Sequence, residues 1–329
     1  MGVNWSQGTD LPSESAGGQI ITMGSKIAYG GGTSEHVYCY DNKDEKWNAL
    51  PPPPVKLFGM GVVIDAGIVA VGGKTKDNNS ATNAMYVFNL HSTDDEESVP
   101  NLQWSKEVVP PMPTARYSST VVASPLGLIV IGGCINDDSE TNTIEMLDMD
   151  TLQWHTTDPL PTPCHGISAT STMFQDRCYV VGGYRKSSAL NQVFCASTMD
   201  LATNADPSFD IDDDGFSPSR DTQLQSAWQA LPTTPIHNPA ACILAHSLII
   251  AGENEKTPNR YSLFTFSKST NSWVYVTDLP AIIQRPIAIT NVSNTKLLVI
   301  SGRIFFHGQL TVMDNEILGK GDRNPCTIL

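Results

Sequence analysis

The chain is poor in charged residues, and basic residues are the scarcer kind. Only 16% of its 329 residues are Asp, Glu, Lys or Arg, and 20 basic residues stand against 34 acidic ones, for a formal net charge of −14. Non-specific electrostatic binding to nucleic acid or to an anionic membrane surface requires a basic face on the protein. We therefore expect neither as a partner.

Paired cysteines and long apolar segments are also missing. None of the seven cysteines forms a CxxC pair, and most lie in apolar stretches, as Cys242 does. A thiol in such a place acts as a small hydrophobe, which favours a reducing compartment over a disulfide framework. No apolar run reaches the ~18 residues of a membrane-spanning helix, and the N-terminal residues lack the basic and apolar parts of a secretion signal. The sequence predicts a cytoplasmic protein with no transmembrane segment.

What the sequence does contain is an internal repeat. An apolar run that ends in glycine recurs six times, at residues 27–32, 69–73, 129–133, 179–183, 249–252 and 299–302. A second apolar run follows each one, at residues 37–40, 85–88, 144–147, 193–195, 263–266 and 310–313. The repeat glycines are Gly31, Gly32, Gly72, Gly73, Gly132, Gly133, Gly182, Gly183, Gly252 and Gly302. Glycine at a strand end allows positive φ and close approach of another backbone, as crowding near a central channel requires.

Tryptophan and proline complete most of the repeats. The tryptophans that follow five of them are Trp47, Trp104, Trp154, Trp228 and Trp273, each succeeded by a proline-containing corner. The sixth repeat has none, whereas the chain begins with Trp5 and then Leu11-Pro12. Units of ~50 residues with room for four strands are typical of propeller blades. We therefore predict that the N-terminal strand closes the ring as the outer strand of the last blade.

This order of glycines, aromatic strands and tryptophans resembles the kelch-repeat family over roughly residues 3–315. The resemblance implies an all-β fold, a six-bladed kelch β-propeller with four-stranded antiparallel blades. Residues 1–318 would form one domain and residues 319–329 a flexible C-terminal tail. It also implies a monomeric, non-enzymatic protein-interaction module with no cofactor, which serves as a scaffold or a substrate-recognition subunit.

Kelch domains often bind a partner protein or peptide through one end of the ring, here called the top face. It carries the loops between the second and third strands and the connectors between blades. The predicted top-face residues are Arg116, Tyr117, His165, Tyr184, Arg185, His237, Arg285, Arg303 and Phe305. Arginine and aromatic side chains dominate interface hot spots. The alternative is that Arg116 and Arg285 are buried structural ties and that the others are ordinary loop residues.

Some kelch propellers are enzymes, so activity in the central channel is a second hypothesis. A galactose-oxidase-like site needs Tyr and His copper ligands at the axis, and the seven histidines show no convincing ligand spacing. A sialic-acid mutarotase-like site needs cations and acids in the channel. Arg116 and Arg285 would supply the cations, but the sequence offers no clear acidic partner. Since nucleophile elbow, phosphate loop and zinc motif are all missing, no catalytic residue is predicted.

Two long polar insertions are assigned to the opposite end of the ring, at residues 92–98 and 202–227. Such loops are functional or disordered. A weak calcium candidate in the second insertion consists of Asp210, Asp212, Asp214 and Asp221. The spacing matches the start of a calcium loop, but Pro218 and the lack of flanking helices depart from that pattern. We therefore predict no bound metal.

The C-terminal residues Cys326-Thr327-Ile328-Leu329 allow three interpretations. As a C-a-a-X box they would direct lipidation of Cys326 and provide a weak membrane tether. As a free carboxylate preceded by Thr327 they would add to the sheet edge of a PDZ domain. The third interpretation is an inert tail.

Overall fold

The computed structural model describes residues 3–14, 18–23, 26–31, 35–41, 44–56, 63–64, 67–89, 104–106, 110–124, 127–137, 139–172, 177–205, 226–281, 287–293 and 295–310. These residues form thirty short strands and one helix. The strands are rich in Val, Ile and aromatic residues, which fit a pleated and half-buried surface. Gly, Pro, Asn and Asp between them favour turns.

Most strands belong to six antiparallel four-stranded sheets. Sheet 1 consists of β2 (Gln19–Met23), β3 (Lys26–Gly30), β4 (Val37–Asp41) and β5 (Lys46–Ala49). Sheet 2 consists of β7 (Val63–Ile64), β8 (Gly67–Val71), β10 (Met85–Asn89) and β11 (Trp104–Lys106). Sheet 3 consists of β12 (Thr120–Ser124), β13 (Gly127–Ile131), β16 (Ile144–Asp148) and β17 (Trp154–Thr157).

The second half of the chain repeats this arrangement. Sheet 4 consists of β18 (Ser168–Thr172), β19 (Arg177–Val181), β22 (Val193–Ser197) and β23 (Gln229–Leu231). Sheet 5 consists of β24 (Ile236–Leu244), β25 (Ser247–Asn254), β26 (Tyr261–Ser267) and β27 (Ser272–Asp278). Sheet 6 consists of β28 (Ile287–Ser293), β29 (Lys296–Ser301), β30 (Ile304–Leu310) and the first strand of the chain, β1 (Val3–Gln7).

Smaller elements lie at the ends of the sheets. Three two-stranded sheets pair β6 (Val55–Lys56) with β9 (Lys74–Thr75), β14 (Cys134–Asn136) with β15 (Ser139–Glu140), and β20 (Tyr184–Arg185) with β21 (Ser188–Ala189). The helix α1 (Thr198–Ala205) follows β22 and packs against β17, where the Thr157 hydroxyl donates a 2.5 Å hydrogen bond to the Leu201 carbonyl. Within the described residues, no helix is long and apolar enough to cross a membrane.

The hydrophobic core lies between neighbouring sheets. Six buried clusters occur among the described residues, one each between sheets 1 and 2, 2 and 3, 3 and 4, 4 and 5, 5 and 6, and 6 and 1. Each cluster joins one face of a sheet to the facing side of the next, so both faces of every sheet are used. This is the packing of propeller blades. The prediction of an all-β propeller with four-stranded antiparallel blades is confirmed.

The first strand of the chain lies beside the last strand of sheet 6. β1 pairs antiparallel with β30, from Val3 opposite Leu310 to Gln7 opposite Phe306. Trp5 stands opposite Gly308, where an added Cβ would lie only 2.5 Å from the indole ring. Glycine at this position therefore makes the room that the tryptophan occupies.

The strand-ending glycines let the connectors between sheets pass close to the strands. Gly72 has a φ of +70°, and an added Cβ would lie 2.3 Å from the Arg116 carbonyl oxygen. The neighbouring Gly73 donates its N–H to the same oxygen at 2.9 Å. The other repeat glycines with positive φ are Gly31, Gly73, Gly132, Gly133, Gly182, Gly183 and Gly302.

Five of the tryptophans are hydrogen-bonded to the connector that leads into their own sheet. Five indole N–H groups donate to backbone carbonyls at 2.7–3.1 Å. The donors are Trp47, Trp104, Trp154, Trp228 and Trp273, and the acceptors are Thr9, Pro51, Pro110, Asp158 and Pro232 in the same order. The indole nitrogen of Trp5 is buried without such a partner among the described residues.

Candidate binding surface

The top face is built from a series of backbone pairs between connectors and loops. In three of the pairs, one residue comes from the connector that enters a sheet and the other from the loop between that sheet's second and third strands. In the fourth, the two residues lie near the ends of the first and second strands of sheet 5. The pairs are Lys56 with Lys74, Tyr117 with Cys134, His165 with Tyr184, and His237 with Glu253. We call these eight residues the rim pairs. Since three of the pairs tie a loop to a connector and the fourth continues the β24–β25 ladder, the rim is held by backbone bonds as well as by side chains.

Side chains join the loop of sheet 2 to the loop of sheet 3. The Lys74 ammonium lies 2.6 Å from the Asp137 carboxylate and 4.0 Å from the centre of the Tyr117 ring. The Tyr117 hydroxyl donates a 2.7 Å hydrogen bond to the same carboxylate. The bonds from Lys74 and Tyr117 lower the pKa of Asp137. Burial, followed by the bond to Asp137, raises the pKa of Tyr117. This cluster favours the charged form of Asp137, whose side chain remains 76% exposed while it pairs with Lys74.

A second set of contacts joins sheet 3 to sheets 4 and 5. The Glu140 carboxylate accepts a hydrogen bond from the Lys186 backbone N–H. It also lies 3.6 Å from Nδ1 of His165, whose ring stacks on Tyr184 at 5.9 Å. The Tyr184 hydroxyl bonds to the Asn238 side chain in the next connector. Burial lowers the pKa of His165, and the nearby Glu140 partly offsets this effect.

Arg116 does not belong to the binding surface. Its side chain is 0% exposed and lies 2.9 Å from the Glu145 carboxylate, which is itself 1% exposed. It also donates to the carbonyls of Thr143 and Val130. Burial lowers the pKa of Arg116 to about 10, against the opposing effect of Glu145. Arg116 is therefore a buried structural tie, as in the alternative given above. In this position it links the connector to sheet 3 and cannot reach a partner.

Phe305 is also too deeply buried to contact a partner, and Tyr117 is almost as deeply buried. Phe305 is 0% exposed and lies in the core between sheets 6 and 1, with its ring 5.2 Å from that of Trp47. The alternation of side chains along β30 explains this, since Phe305 points between the sheets. Tyr117 is 8% exposed and is engaged with Lys74 and Asp137.

The other described candidates reach the surface. Arg185, His237 and Arg303 are exposed, whereas His165 and Tyr184 are half-buried. Arg303 lies in the turn between β29 and β30 and donates from Nε to the Leu11 carbonyl at 3.1 Å. It therefore anchors the connector that leads into sheet 1 while its side chain remains exposed.

Several predicted residues lie outside the described part of the chain. They are Gly32, Arg285, the calcium candidates Asp210, Asp212, Asp214 and Asp221, the lipidation candidate Cys326, and the predicted tail at residues 319–329.

Sequence reasoning missed Lys74, Asp137 and Glu140, which connect the top-face loops. One signal was available. The residue directly after three of the repeat Gly-Gly pairs enters a rim pair, in Gly73-Lys74, Gly133-Cys134 and Gly183-Tyr184. The acidic partners carry no such signal, because Asp137 and Glu140 lie at positions that have no fixed counterpart in other repeats.

Comparisons with known proteins agree with the fold. A family model described as the KLHDC2/KLHL20/DRC7 Kelch-repeats domain matches residues 59–308. Kelch-like protein 41b of Danio rerio is 26% identical over 151 residues, which make up 46% of this chain and 22% of that protein. Kelch-like protein 40 of Mus musculus is 26% identical over 146 residues, which make up 44% of this chain and 21% of that protein. The matched part spans about a fifth of the length of these relatives.

Proposed function

Because the chain belongs to the Kelch-repeat family, whose members typically mediate protein–protein interaction, we propose that it binds a partner protein or peptide through its top face. The observation that carries this proposal is the rim. Its loops are tied to one another across sheets 2 to 5, yet Arg185 and His237 remain exposed on it. Loops that are ordered before binding lose less conformational entropy when a partner arrives.

We infer that sheets 1–6 are the six blades of one ring within residues 1–318. Two observations support this inference. A hydrophobic cluster joins sheet 6 to sheet 1, and β1 supplies the outer strand of sheet 6. Closure by the N-terminal strand would leave no sheet of the ring without a neighbour and would make the top face one rigid surface.

The strands nearest the axis argue against catalysis in the channel. These are the first strands of the sheets, which contact one another between neighbouring sheets. Their described residues include only two with ionisable side chains, His237 and Cys242. Cys242 is buried, and burial raises its pKa. General acid–base chemistry needs converging titratable groups, so the binding function is better supported than the enzyme hypothesis.

The proposed partner is a protein, because the acidic chain offers no basic face for nucleic acid. We propose a monomeric scaffold or substrate-recognition subunit that needs no cofactor. We also propose that it acts in the cytoplasm, since the six described cysteines are all free.

Affinity capture with matched charge reversals tests the binding face. The intact chain would be compared with Arg185→Glu/Arg303→Glu on the top face and with Lys46→Glu/Lys268→Glu at the other end of the sheets. Both pairs change the formal charge by the same amount. We expect quantitative mass spectrometry to show partners lost with the first pair and kept with the second.

Two other results would contradict the proposal. Equal loss with both pairs would mean that net charge, and not the top face, decides capture. Loss only in a chain lacking residues 326–329 would move the interaction to the C-terminal residues. Circular dichroism of each variant would confirm that it is folded.

A further inference from the structure

The tryptophan of β1 lacks the hydrogen bond that its five counterparts make. In sheet 5, the Trp273 indole donates to the carbonyl of Pro232, which follows a leucine in the connector that enters the sheet. The corresponding residue in the connector into sheet 6 is Pro280, which also follows a leucine. The Trp5 indole nitrogen is buried but has no hydrogen-bond partner among the described residues. The outer strand of sheet 6 is therefore not tied to its connector in this way.

Backbone bonds hold the beginning of the chain to β30. β1 forms an antiparallel ladder with β30, and the Gly8 N–H continues it with a 2.9 Å bond to the Phe305 carbonyl. Beyond this point the chain is fastened at Leu11. Its N–H donates to the Arg303 carbonyl at 2.8 Å, and its carbonyl accepts from the Arg303 side chain at 3.1 Å. We call residues 3–8 the N-terminal segment, and Leu11 is the limit to which this segment can detach.

The ring of His307 lies against the end of the N-terminal segment. Its centre is 4.6 Å from that of Phe305 and 6.2 Å from that of Tyr40 in sheet 1. A Cβ added to Gly8 would lie 2.8 Å from Nε2 of His307, so the backbone at Gly8 closes one side of the ring. The other nitrogen, Nδ1, is buried without a hydrogen-bond partner among the described residues.

A positive charge on this ring is poorly accommodated while the segment is in place. The proton on Nδ1 would meet no acceptor among the described residues, and a buried, unpaired charge costs more than an unpaired neutral group. The ring faces the phenol of Tyr40, the cation of Lys296 on β29 and the carboxylate of Glu45 before β5, whereas β1 carries no titratable side chain. Burial, followed by Lys296, lowers the pKa of His307, and Glu45 offsets this only in part.

We propose that acid detaches the N-terminal segment from β30 and that His307 is the group that responds to pH. The neutral ring fits between Gly8 and Tyr40, whereas the protonated ring is better solvated once the segment has left. The proton therefore binds more tightly to the detached form and shifts the population toward it. Attachment is favoured above about pH 6.5, the usual titration range of histidine, and weakens as the pH falls further.

This inference goes beyond the proposed partner binding and does not depend on it. Detachment ends at Leu11 and leaves β30 as the unpaired edge of sheet 6. The other strands of the sheet keep their partners, because β30 still pairs with β29. Acid would thus change one edge of the molecule and not its core.

Hydrogen–deuterium exchange of the intact chain at about pH 7.5 and about pH 5.5 tests the proposal. Each rate divided by the intrinsic rate at that pH gives a protection factor, which reports the equilibrium of local opening. We expect the protection of the N-terminal segment to fall by ~3-fold or more at the lower pH, because only there is the detached form favoured by the proton. The Leu11 amide and residues 297–300 of β29 are the internal references and should change far less.

Two substitutions remove the titrating group. His307→Gln keeps a polar side chain, and His307→Phe keeps an aromatic ring against Phe305. With either one, we expect the protection of the N-terminal segment to change by less than ~1.5-fold between the two pH values. His155→Gln is the matched control, because it removes a half-buried histidine from the outer strand of sheet 3. This variant should respond to acid as the parent chain does.

Four results would overturn the proposal. The first is protection of the N-terminal segment that is the same at both pH values. The second is an equal loss in the parent chain and in both His307 variants, which would assign the response to another group. The third is a loss that extends to all sheets, since acid would then act on the whole fold. The fourth is a segment that already exchanges freely at the higher pH in both His307 variants, which would show that packing of the ring, and not its charge, holds the strand.

Discussion

Arg116 and Glu145 form a buried ion pair that holds the connector on sheet 3. Each side chain is almost completely buried, and Glu145 also accepts a 2.6 Å hydrogen bond from the Thr114 hydroxyl. Burying two charges is costly unless they pair and their remaining bonds are satisfied. The chain meets most of that condition, since the Arg116 guanidinium also donates to two backbone carbonyls, and among its nitrogens only Nε is buried without a hydrogen-bond partner in the described residues. Removing one partner would leave the other as a buried, unpaired charge.

We predict that Arg116→Met lowers the free energy of unfolding by ~3–5 kcal/mol, the usual cost of breaking a buried pair. Urea unfolding followed by circular dichroism measures this change. The double variant Arg116→Met/Glu145→Leu is the control, and it should recover most of the loss because no charge remains buried. A single variant as stable as the parent chain would contradict the buried-pair interpretation.

We expect His165 to make the stability of the protein depend on pH. Burial lowers its pKa in the folded protein, so between that value and the unfolded value of ~6.5 the unfolded chain binds more protons. Stability from this residue is therefore present above about pH 6.5 and is lost as the pH falls further. We expect the chain to lose more stability between about pH 7.5 and pH 5.5 than a His165→Gln variant does. Urea midpoints at the two pH values measure the difference, and parallel losses would exclude a role for His165.

At the scale of elements, one kind of contact recurs in five sheets. A tryptophan in the outer strand, or directly before it in sheet 4, donates a hydrogen bond to the connector that enters its sheet, while its ring packs in a neighbouring hydrophobic cluster. A connector held in this way places the following first strand, and with it the rim residue at its start. The same tryptophan that identifies the repeat therefore helps to position the binding surface.

β1 is the element whose loss tests ring closure. Deleting residues 1–9 removes the partner strand of β30 and the Trp5 side chain. Loss of one large buried side chain alone costs ~3–5 kcal/mol, so we predict a fall in melting temperature of more than ~10 °C. Differential scanning calorimetry measures it. Deletion of residues 319–329 is the control of similar length and should leave the melting temperature unchanged. An equal and small effect of both deletions would show that β1 is dispensable.

At the scale of the whole molecule, the clusters between neighbouring sheets form a continuous circuit from sheet 1 to sheet 6 and back. Opening any one cluster exposes apolar surface on two sheets at once. Such coupling favours unfolding of the six sheets as one unit.

We predict a single cooperative transition in denaturant. The chain has six tryptophans, five within the strands of sheets 1, 2, 3, 5 and 6 and Trp228 directly before β23 of sheet 4, so their fluorescence reports on all sheets together. Fluorescence and circular dichroism should give coincident curves, as expected when no intermediate is populated. Separate transitions would show that groups of sheets unfold independently and would argue against one closed ring.

Much of the fold could be predicted because its signals are local. Glycine pairs, apolar runs and tryptophans each recur at a fixed place in the repeat, where they meet a local requirement such as the positive φ at Gly72. Repetition of these signals is enough to identify four-stranded blades. The exposed positions of Arg185 and His237 also followed from their place in the repeat.

The sequence by itself thus determined the repeat, the blade and the family. Only the tertiary structure decided which cations of the top face are available. Arg116 and Arg185 both lie in predicted top-face loops, yet Arg116 meets Glu145, 29 residues along the chain, and becomes buried, whereas Arg185 ends a short strand in a hairpin that extends outward. Exposure depends on what packs across the boundary between two sheets, and a pattern read within one repeat does not contain that information.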